Sequence, residues 1–244
     1  FRLTPSVITA WTVNPDFATI EADEEEVNLT RFEVSLPEKR QFFLEGQELF
    51  NQRIRTFYSR RISEIEAGGK VLGKEGPWTM ALLNAESDPL GSSGARGNYT
   101  VGRVQRDVSG RSAVAAMVTN RRLEGGDQGA VSLDTNLFFT KTLGMTAQVV
   151  KSFGLFSNGT EGFFVRPAYD SPTGHFHVRY THLGEHLSDN LSAIGQVKDD
   201  NRREIDSAIE KTIWVRSGLF ERIKYDSNYN VYWSQKRELR SWQI

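Results

Sequence analysis

Apolar and polar residues alternate with a period of two along most of this chain. From about Lys70 onward, runs of roughly 10 to 14 residues follow one another, separated by clusters of Gly, Asn, Asp or Ser. In four of these runs the apolar positions are Val131, Leu133, Leu137 and Phe139; Phe176, Val178 and Tyr180; Ile205, Ile209 and Ile213; and Tyr229, Val231 and Trp233. The residues between them are mostly polar and often charged. The pattern predicts antiparallel β-strands with one apolar and one polar face.

Two short segments between such runs predict tight turns. They are TKTLG at residues 140–144 and DSPTG at residues 170–174, and each joins runs of similar length. Both contain residues that favour turns, so we expect both to form β-hairpins.

Two architectures produce this alternation. A soluble sandwich or barrel turns its apolar face inward, whereas a transmembrane barrel turns it toward lipid and lines the lumen with polar residues. Soluble strands average about five or six residues, but a tilted membrane-spanning strand needs about 9–11. Aromatic residues near the predicted strand ends are compatible with interfacial girdles: Trp78, Tyr99, Tyr169, Tyr180, Trp214, Trp233 and Trp242. On the pattern alone, both architectures stay open.

The N-terminal third has a different character. The segment ITAWTVNPDF predicts a strand that ends at Pro15, and the residues after it are rich in charge and Phe, with a helix expected around Gly46–Asn51. We therefore divide the chain into residues 1–69, a strand plus a charged segment, and residues 70–244, the barrel strands. We expect the charged segment to be a compact polar element outside the lipid.

Composition removes several classes of function. The net charge is −1, which gives no general attraction for nucleic acid. Cysteine is absent, which excludes disulfides, thiolate zinc sites and cysteine nucleophiles. No window holds 18 consecutive apolar residues, so the sequence predicts no transmembrane helix. The chain opens on FRLTPSVITAWTV, which reads as a strand rather than a signal peptide, so we expect a piece of a longer protein.

The opening segment carries a specific resemblance. It is TVNPDFATIEADEEEVNLTRFEVSLPEKRQFFLEG, followed by FYSRRI, VGRVQRD, TNRR and YTHLGEHLSDNLSAIGQVKDDNRRE. In this order the motifs resemble a family of uncharacterised bacterial envelope proteins, in which a domain like carbohydrate-binding family nine precedes a domain of unknown function. The resemblance implies a Gram-negative outer-membrane β-barrel. No part of the sequence resembles the sugar-binding-like domain, and the barrel-like part is shorter than is usual in the family, so we expect either a segment of a larger protein or an unusually short member. Gln41 stands where the family usually has Pro.

The acidic run around Glu21–Glu26 has three interpretations. It contains Glu21, Asp23 and Glu24, which make weak candidates for a Ca²⁺ site because Ca²⁺ prefers oxygen ligands, but the spacing is not that of an EF-hand. It is otherwise a solvated acidic turn. The interpretation that we favour is an ion-paired element inside a barrel lumen, formed by Glu21, Asp23, Arg31, Glu33, Glu38, Lys39, Arg40 and Glu45.

Other polar clusters give weaker signals. Paired basic residues flank strand ends, where they would contact anionic lipid headgroups or lipopolysaccharide phosphates, or simply form solvated rims; they are Arg53 and Arg55, Arg60 and Arg61, Arg121 and Arg122, and Arg202 and Arg203. His175 and His177 share one strand face, with His182 and His186 nearby, but the sequence shows no matching carboxylate spacing for a metal. No catalytic constellation is identifiable, and nothing selects a carboxylate pair for glycoside hydrolysis.

The first functional hypothesis is an all-β, antiparallel transmembrane β-barrel, or part of one, in the outer membrane. It would act without a cofactor as a pore, a transporter or an accessory subunit of an envelope complex. Its partners would be outer-membrane lipids, lipopolysaccharide and other envelope proteins, and not nucleic acid. The alternative is a soluble periplasmic or extracellular β-sandwich that binds carbohydrate. A third, an envelope hydrolase, has no support in the residues.

Overall fold

A computed structural model describes residues 2–15, 28, 32–87, 95–218 and 220–244. Thirteen strands of this part form one antiparallel sheet, in which each strand pairs with its neighbours in the chain. Their bounds are Arg2–Thr4 (β1), Val7–Val13 (β2), Ile65–Glu75 (β3), Trp78–Ser87 (β4), Asn98–Ser109 (β5), Ser112–Leu123 (β6), Gly126–Phe138 (β7), Leu143–Phe153 (β8), Glu161–Ser171 (β9), Gly174–Leu183 (β10), Arg202–Ser217 (β11), Phe220–Trp233 (β12) and Leu239–Gln243 (β13).

Helices are few and short. The described residues contain two α-helices, Gln41–Leu44 (α1) and Leu187–Leu191 (α2), and two 3-10 helices, Gln47–Phe50 and Ser59–Arg61. Within the described part of the chain, no helix has the length and apolar character that crossing a membrane requires. The predicted all-β antiparallel fold is confirmed.

The sheet is open in the described residues. Strands β1 and β13 lie at its two edges, and no pairing joins them there. In a closed barrel, β1 would pair with β13. Closure thus remains a prediction, whereas the order and direction of the strands are established.

Both predicted hairpins are present. Ser171 pairs with Gly174, which leaves two residues for the turn between β9 and β10. The other turn occupies residues 139–142, because Leu143 and Gly144 already belong to β8. The hydroxyl oxygen of Thr140 accepts hydrogen bonds from the backbone N–H groups of Thr142 at 3.2 Å and Leu143 at 2.9 Å. This local bonding ends the turn two residues earlier than the sequence pattern predicted.

The helix expected around residues 46–51 is a single 3-10 turn, Gln47–Phe50. Gly46 precedes it with φ of 75°, a left-handed conformation that glycine adopts without strain. Helix α1, just before it, was not predicted. Four residues of α-helix are too few to give a hydrophobic period, so the sequence carried no signal for α1.

The long connections of the sheet lie at one end, which also carries the short turn 124–125, whereas the other end carries short turns. The connections 14–64, 88–97, 154–160 and 184–201 share one end, which we call the loop end. The short turns at residues 76–77, 110–111, 139–142 and 172–173 share the other, which we call the turn end. This division follows from the antiparallel order of the strands.

One face of the sheet, the outer face, is exposed and apolar. In the middle of the sheet Leu133, Val149 and Phe163 lie opposite one another on the neighbouring strands β7, β8 and β9, with their side chains exposed. Val104 on β5 extends this exposed row beyond β6. Exposed apolar residues at alternate positions continue this face on both sides: Met80, Leu82, Val114, Val118, Val131, Phe176, Val178, Ile205, Ile209, Ile213, Ile223, Tyr225, Tyr229 and Trp242. The alternation predicted from the sequence is therefore confirmed, with its apolar side exposed.

The opposite or inner face carries both polar and apolar buried residues. Arg103, Met117, Ser132 and Val150 form one row across four strands, each directly opposite the next, and all are buried. Residues 32–62, which we call the inner segment, pack against this face near the loop end. The shared hydrophobic core includes Phe43, Phe50, Ile54, Phe57, Ile62, Leu72, Leu83, Tyr99, Val101, Met117, Val150, Phe164, Leu187, Leu191 and Ile194. Burial of each large side chain contributes about 1.5–3 kcal/mol to stability.

Candidate functional site on the inner face

The inner segment is held by a buried ion pair between Glu38 and Arg40. The Arg40 guanidinium donates to both carboxylate oxygens of Glu38, at 2.9 Å from Nε and 2.7 Å from Nη2. It also donates to the backbone carbonyls of Ser59, Ile62 and Ser63. The two side chains are only 6% and 1% exposed. These bonds use all the N–H donors of the Arg40 guanidinium within the protein. The pair therefore has a structural role and not a ligand-binding one.

Opposing effects set the pKa of Glu38. Burial alone would raise it, but the hydrogen bonds from Arg40 and Ser59 outweigh burial and hold the pKa of Glu38 below its ordinary value. The carboxylate is therefore charged at neutral pH, and it accepts hydrogen bonds from the backbone N–H groups of Lys39 and Arg40 just before α1.

The other members of the predicted ion-pair cluster are distributed differently. Glu33 pairs with Arg61 at 2.5 Å, and Glu45 pairs with Lys70 of β3 at 3.1 Å. Lys39 donates its backbone N–H to Glu38 at 3.0 Å. Glu21, Asp23 and Arg31 lie outside the described residues. Among the cluster members that are described, the structure thus brings Glu38, Lys39 and Arg40 together and gives Glu33 and Glu45 partners that the sequence did not indicate.

The candidate metal ligands fall outside the described part. Glu21, Asp23 and Glu24 all lie in residues 16–27, of which the structure gives no placement. Elsewhere, the described residues contain no group of three or more His, Asp or Glu side chains arranged to hold a metal ion.

Polar contacts fix the inner segment to the inner face of the sheet. Gln52 donates to Ser132 at 2.9 Å and to Asp134 at 2.7 Å. The side chain of Gln148 forms two hydrogen bonds with the backbone of Ile54, accepting at 2.8 Å and donating at 2.9 Å. Both the N–H and the C=O of Ile54 are therefore bound by one side chain. These contacts fix the register of the inner segment against β7 and β8.

Two of the predicted histidines belong to a hydrogen-bonded chain that crosses three strands. Nδ1 of His175 lies 2.5 Å from Asp170, and its Nε2 lies 2.8 Å from Nδ1 of His177. Nε2 of His177 then lies 3.3 Å from Asp206, which also pairs with Arg179 at 2.6 Å. The two carboxylates, Asp170 and Asp206, come from β9 and β11, and the sequence pattern did not indicate them as partners of the histidines. Such a chain orients both imidazoles and leaves neither arranged as a metal ligand with a third donor.

The other two histidines lie elsewhere. His182 stacks on Phe163, with ring centroids 5.2 Å apart, on the outer face. His186 lies in the loop-end connection, where it stacks on Phe156 and contacts Asp189 at 2.9 Å. The four histidines therefore do not form one site.

Most of the paired basic residues have acceptors within the protein. Arg61 donates to the Gly195 carbonyl, and Arg122 pairs with Asp127. Arg202 pairs with Glu204 at 2.8 Å, and Arg203 donates to Gln235 at 2.8 Å. These contacts give all four arginines a structural role, Arg122, Arg202 and Arg203 at strand ends and Arg61 in the 3-10 helix Ser59–Arg61.

Arg53 differs from the other members of these pairs. Its guanidinium lies over the ring of Phe164, 5.6 Å from the centroid, and forms no hydrogen bond or ion pair with another described residue. Desolvation and then the positive charge of Arg179 lower the pKa of Arg53 from its very high ordinary value. Arginine still remains charged over the physiological range.

Arg53 borders a cavity of about 570 Å³ on the inner face. The walls of this cavity, which we call the arginine cavity, are Arg53, Thr146, Phe164, Arg166, His177, Arg179, Asp206 and Asn228. A second cavity of about 500 Å³ adjoins it toward the loop end and shares Arg53 and Phe164. In the arginine cavity, charged side chains from the inner segment meet charged side chains from three strands, β9, β10 and β11.

The residue spacing across one hairpin indicated part of this convergence, although no sequence motif did. In a hairpin with a two-residue turn at residues 172–173, residues whose numbers sum to a constant lie opposite each other. Arg166 and Arg179 satisfy that sum for the observed pair Ser171 and Gly174. The placement of Arg53 beside them depends on how the inner segment folds, which no local pattern reports.

Comparison with known families gives one match. A family model described as a domain of unknown function, DUF5916, matches residues 6–80, which are 75 of the 244 residues. The matched part covers β2, the inner segment, β3 and the start of β4. Neither the curated proteins nor the solved structures gave a match.

Proposed function

We propose that this chain forms the strands of an outer-membrane β-barrel that acts as a pore, a transporter or an accessory subunit of an envelope complex. The observation that carries the proposal is the outer face, which is apolar and exposed on consecutive strands. Soluble monomers rarely expose a continuous apolar patch of more than a few hundred Å². An acyl-chain environment removes the cost of that exposure.

Strand length supports the same proposal. Strands β3 to β12 are 10 to 16 residues long, and a tilted strand needs about 9–11 residues to cross the hydrocarbon core. The inner face supplies the complementary observation. Lys70, Arg103 and Glu204 are 2%, 9% and 7% exposed on that face, as expected of charged residues in a sheltered lumen.

Aromatic residues near the turn end fit a membrane interface. On the outer face, Tyr169 is exposed, and Arg106 lies over the ring of Trp78 at 5.2 Å. Aromatic rings with adjacent cations are typical of the headgroup region, where the ring is partly in lipid and the cation meets phosphate. Outer-membrane lipids, including lipopolysaccharide, are the partners that this chemistry would contact.

The inner segment gives the proposed barrel a partly filled interior. It covers the inner face at the loop end with a dry core and side-chain hydrogen bonds, while the turn end keeps a polar inner face. A pore with this arrangement would be constricted by the segment, and an accessory subunit would use it for rigidity. Other envelope proteins could pair with the open edges at β1 and β13.

The soluble carbohydrate-binding sandwich gains no support from the strands. A sandwich requires two sheets whose apolar faces pack against each other. The thirteen described strands form one sheet, and its apolar face is exposed. We therefore retain the membrane proposal alone.

Extraction from cells that express the chain tests the proposal. A membrane barrel should stay in the pellet after carbonate treatment, dissolve only in detergent and migrate differently on a gel before and after boiling. Release of folded protein by carbonate or salt would refute the membrane assignment. Folded protein means here that far-ultraviolet circular dichroism still shows β-structure, which separates true solubility from aggregation.

A further inference from the structure

Three guanidinium groups face one another across the arginine cavity. Arg53 approaches from the inner segment, whereas Arg166 and Arg179 extend from β9 and β10. The register that pairs His177 with Ala168 and Tyr180 with Val165 puts Arg166 directly opposite Arg179. Like charges directly opposite on a sheet destabilise it, so this arrangement calls for a compensating negative charge.

The nearby carboxylates are already engaged. Asp206 accepts from Arg179 at 2.6 Å and contacts His177. Glu204 accepts from Arg202 at 2.8 Å and from Asn230 at 2.5 Å, and it is 3.9 Å from Arg179. The positive charge of the cavity therefore exceeds what its own carboxylates balance.

Donors in the cavity remain without acceptors. Among the described residues, no hydrogen bond or ion pair involves Arg53 or Arg166, whose neighbour on β8 is the uncharged Thr146. Of these three residues only Arg179 has a buried donor without a partner there, its Nε atom; Arg53 is exposed and Arg166 is partly buried. Buried donors are nearly always satisfied in folded proteins, and exceptions often indicate a ligand or ion.

We propose that the arginine cavity binds an oxyanion, the phosphate or carboxylate group of a small solute, through Arg53, Arg166 and Arg179. The planar guanidinium matches both oxyanions with two parallel hydrogen bonds. A volume of about 570 Å³ lies within the range of small-molecule sites. The ring of Phe164 gives the rest of the solute an apolar wall. The inference does not rest on the membrane assignment, since the site exists in either environment.

Isothermal titration calorimetry on the purified full chain tests this site. Inorganic phosphate and citrate are the two probes, each in chloride buffer, with detergent if extraction requires it. We expect the unmodified chain to bind at least one probe, and Arg53→Gln and Arg166→Gln each to weaken that binding about tenfold or more. Arg106→Gln is the matched control, because Arg106 lies over Trp78 on the outer face, and its binding should be unchanged. Binding of phosphate alone indicates a phosphate-bearing ligand, and binding of citrate alone indicates a carboxylate-bearing one.

Thermal unfolding without either probe gives an independent readout. Because Arg166 opposes another cation and has no acceptor, Arg166→Gln should leave the unfolding temperature unchanged or raise it. An arginine with a purely structural role would lower it on removal. The proposal is overturned if the unmodified chain binds neither probe, if all variants bind equally, or if Arg166→Gln lowers the unfolding temperature in probe-free buffer.

Discussion

Leu133 and Asp134 are consecutive in β7 and project from opposite faces of the sheet. Leu133 is 55% exposed on the outer face, whereas Asp134 receives two hydrogen bonds from Arg103, at 2.6 and 2.7 Å, on the inner face. Two adjacent residues therefore place an exposed apolar side chain on one face of the sheet and a largely buried ion pair on the other. This is the reverse of a soluble sheet, where the leucine would be covered.

The first prediction concerns charge on the outer face. Leu133→Arg or Val178→Arg should each lower the free energy of unfolding in lipid by about 2–4 kcal/mol, since both positions lie in the middle of a strand facing the proposed hydrocarbon core. Denaturant unfolding in vesicles, followed by gel mobility, measures the loss.

Asn136→Arg is the matched control for these variants. Asn136 lies on β7 only three residues from Leu133 but on the inner face, where it borders a polar cavity. We expect a change of less than about 1 kcal/mol there. Equal tolerance of arginine at all three positions would contradict the proposed orientation.

The second prediction concerns the pair of Arg103 with Asp134. Asp134→Ala should cost about 3 kcal/mol, the lower end of the range for breaking a buried pair, because Arg103 is 9% exposed and would lose its carboxylate. Replacing both partners, Arg103→Met with Asp134→Leu, should recover much of the loss. Urea unfolding of the single and double variants measures the coupling.

A surface pair provides the comparison. Lys74 and Asp107 are 2.6 Å apart but both are substantially exposed, so Asp107→Ala should lower stability much less than Asp134→Ala does. If Asp134→Ala and Asp107→Ala had the same small effect, the inner face would be as well hydrated as the surface.

The sequence predicted the strands well because their signal is local and repeated. Alternation through Val131 and Leu133, or through Ile205 and Ile209, depends only on the side-chain period of a strand. The exposed side of that alternation could not be read from the period itself, since both a soluble and a membrane sheet produce it. Strand length and the aromatic residues near the strand ends were the local features that favoured a membrane sheet.

The inner segment was predicted less completely because its contacts join residues far apart in the chain. The pairing of Arg40 with Glu38 is short-range and was among the expected pairs, whereas Glu45 pairs with Lys70 across 25 residues. Arg53 meets Arg179 only after β9, β10 and the inner segment have assembled. Charge composition indicates that such clusters exist but not which members meet.

The third prediction tests the tight contact at Gly46. Its φ of 75° is unfavourable for any residue with a Cβ, and a Cβ built there would overlap the side chain of Leu72. Gly46→Ala should therefore destabilise the chain by more than the roughly 1–2 kcal/mol of left-handed strain alone. Denaturant unfolding gives the value.

Gly110→Ala isolates the strain from the overlap. Gly110 has φ of 53°, and a Cβ there would meet nothing within 4 Å. The difference between the two variants then reports how tightly the inner segment packs on β3. If Gly46→Ala cost no more than Gly110→Ala, that packing would be loose.

The last prediction follows from the lowered pKa of Glu38. A carboxyl group whose pKa is lower in the folded than in the unfolded chain stabilises the fold above its unfolded value, near 4.5. That stabilisation is lost as pH falls through the lower folded-state pKa. We expect the free energy of unfolding to decrease steadily below about pH 4.5, measured by urea unfolding at several pH values.

Glu38→Gln should remove this pH dependence and about 3 kcal/mol of stability at neutral pH, because Arg40 would keep its burial without a carboxylate. Its unfolding free energy should be flatter than that of the unmodified chain between pH 3 and 5, as estimated from ordinary carboxyl titration. Glu33→Gln is the control, since Glu33 and Arg61 are both partly exposed and the loss should stay below about 1 kcal/mol. If the pH profiles of Glu38→Gln and the unmodified chain were parallel, the acid sensitivity would arise from other carboxylates. The Glu38–Arg40 pair would then not be the contact that holds the inner segment in place.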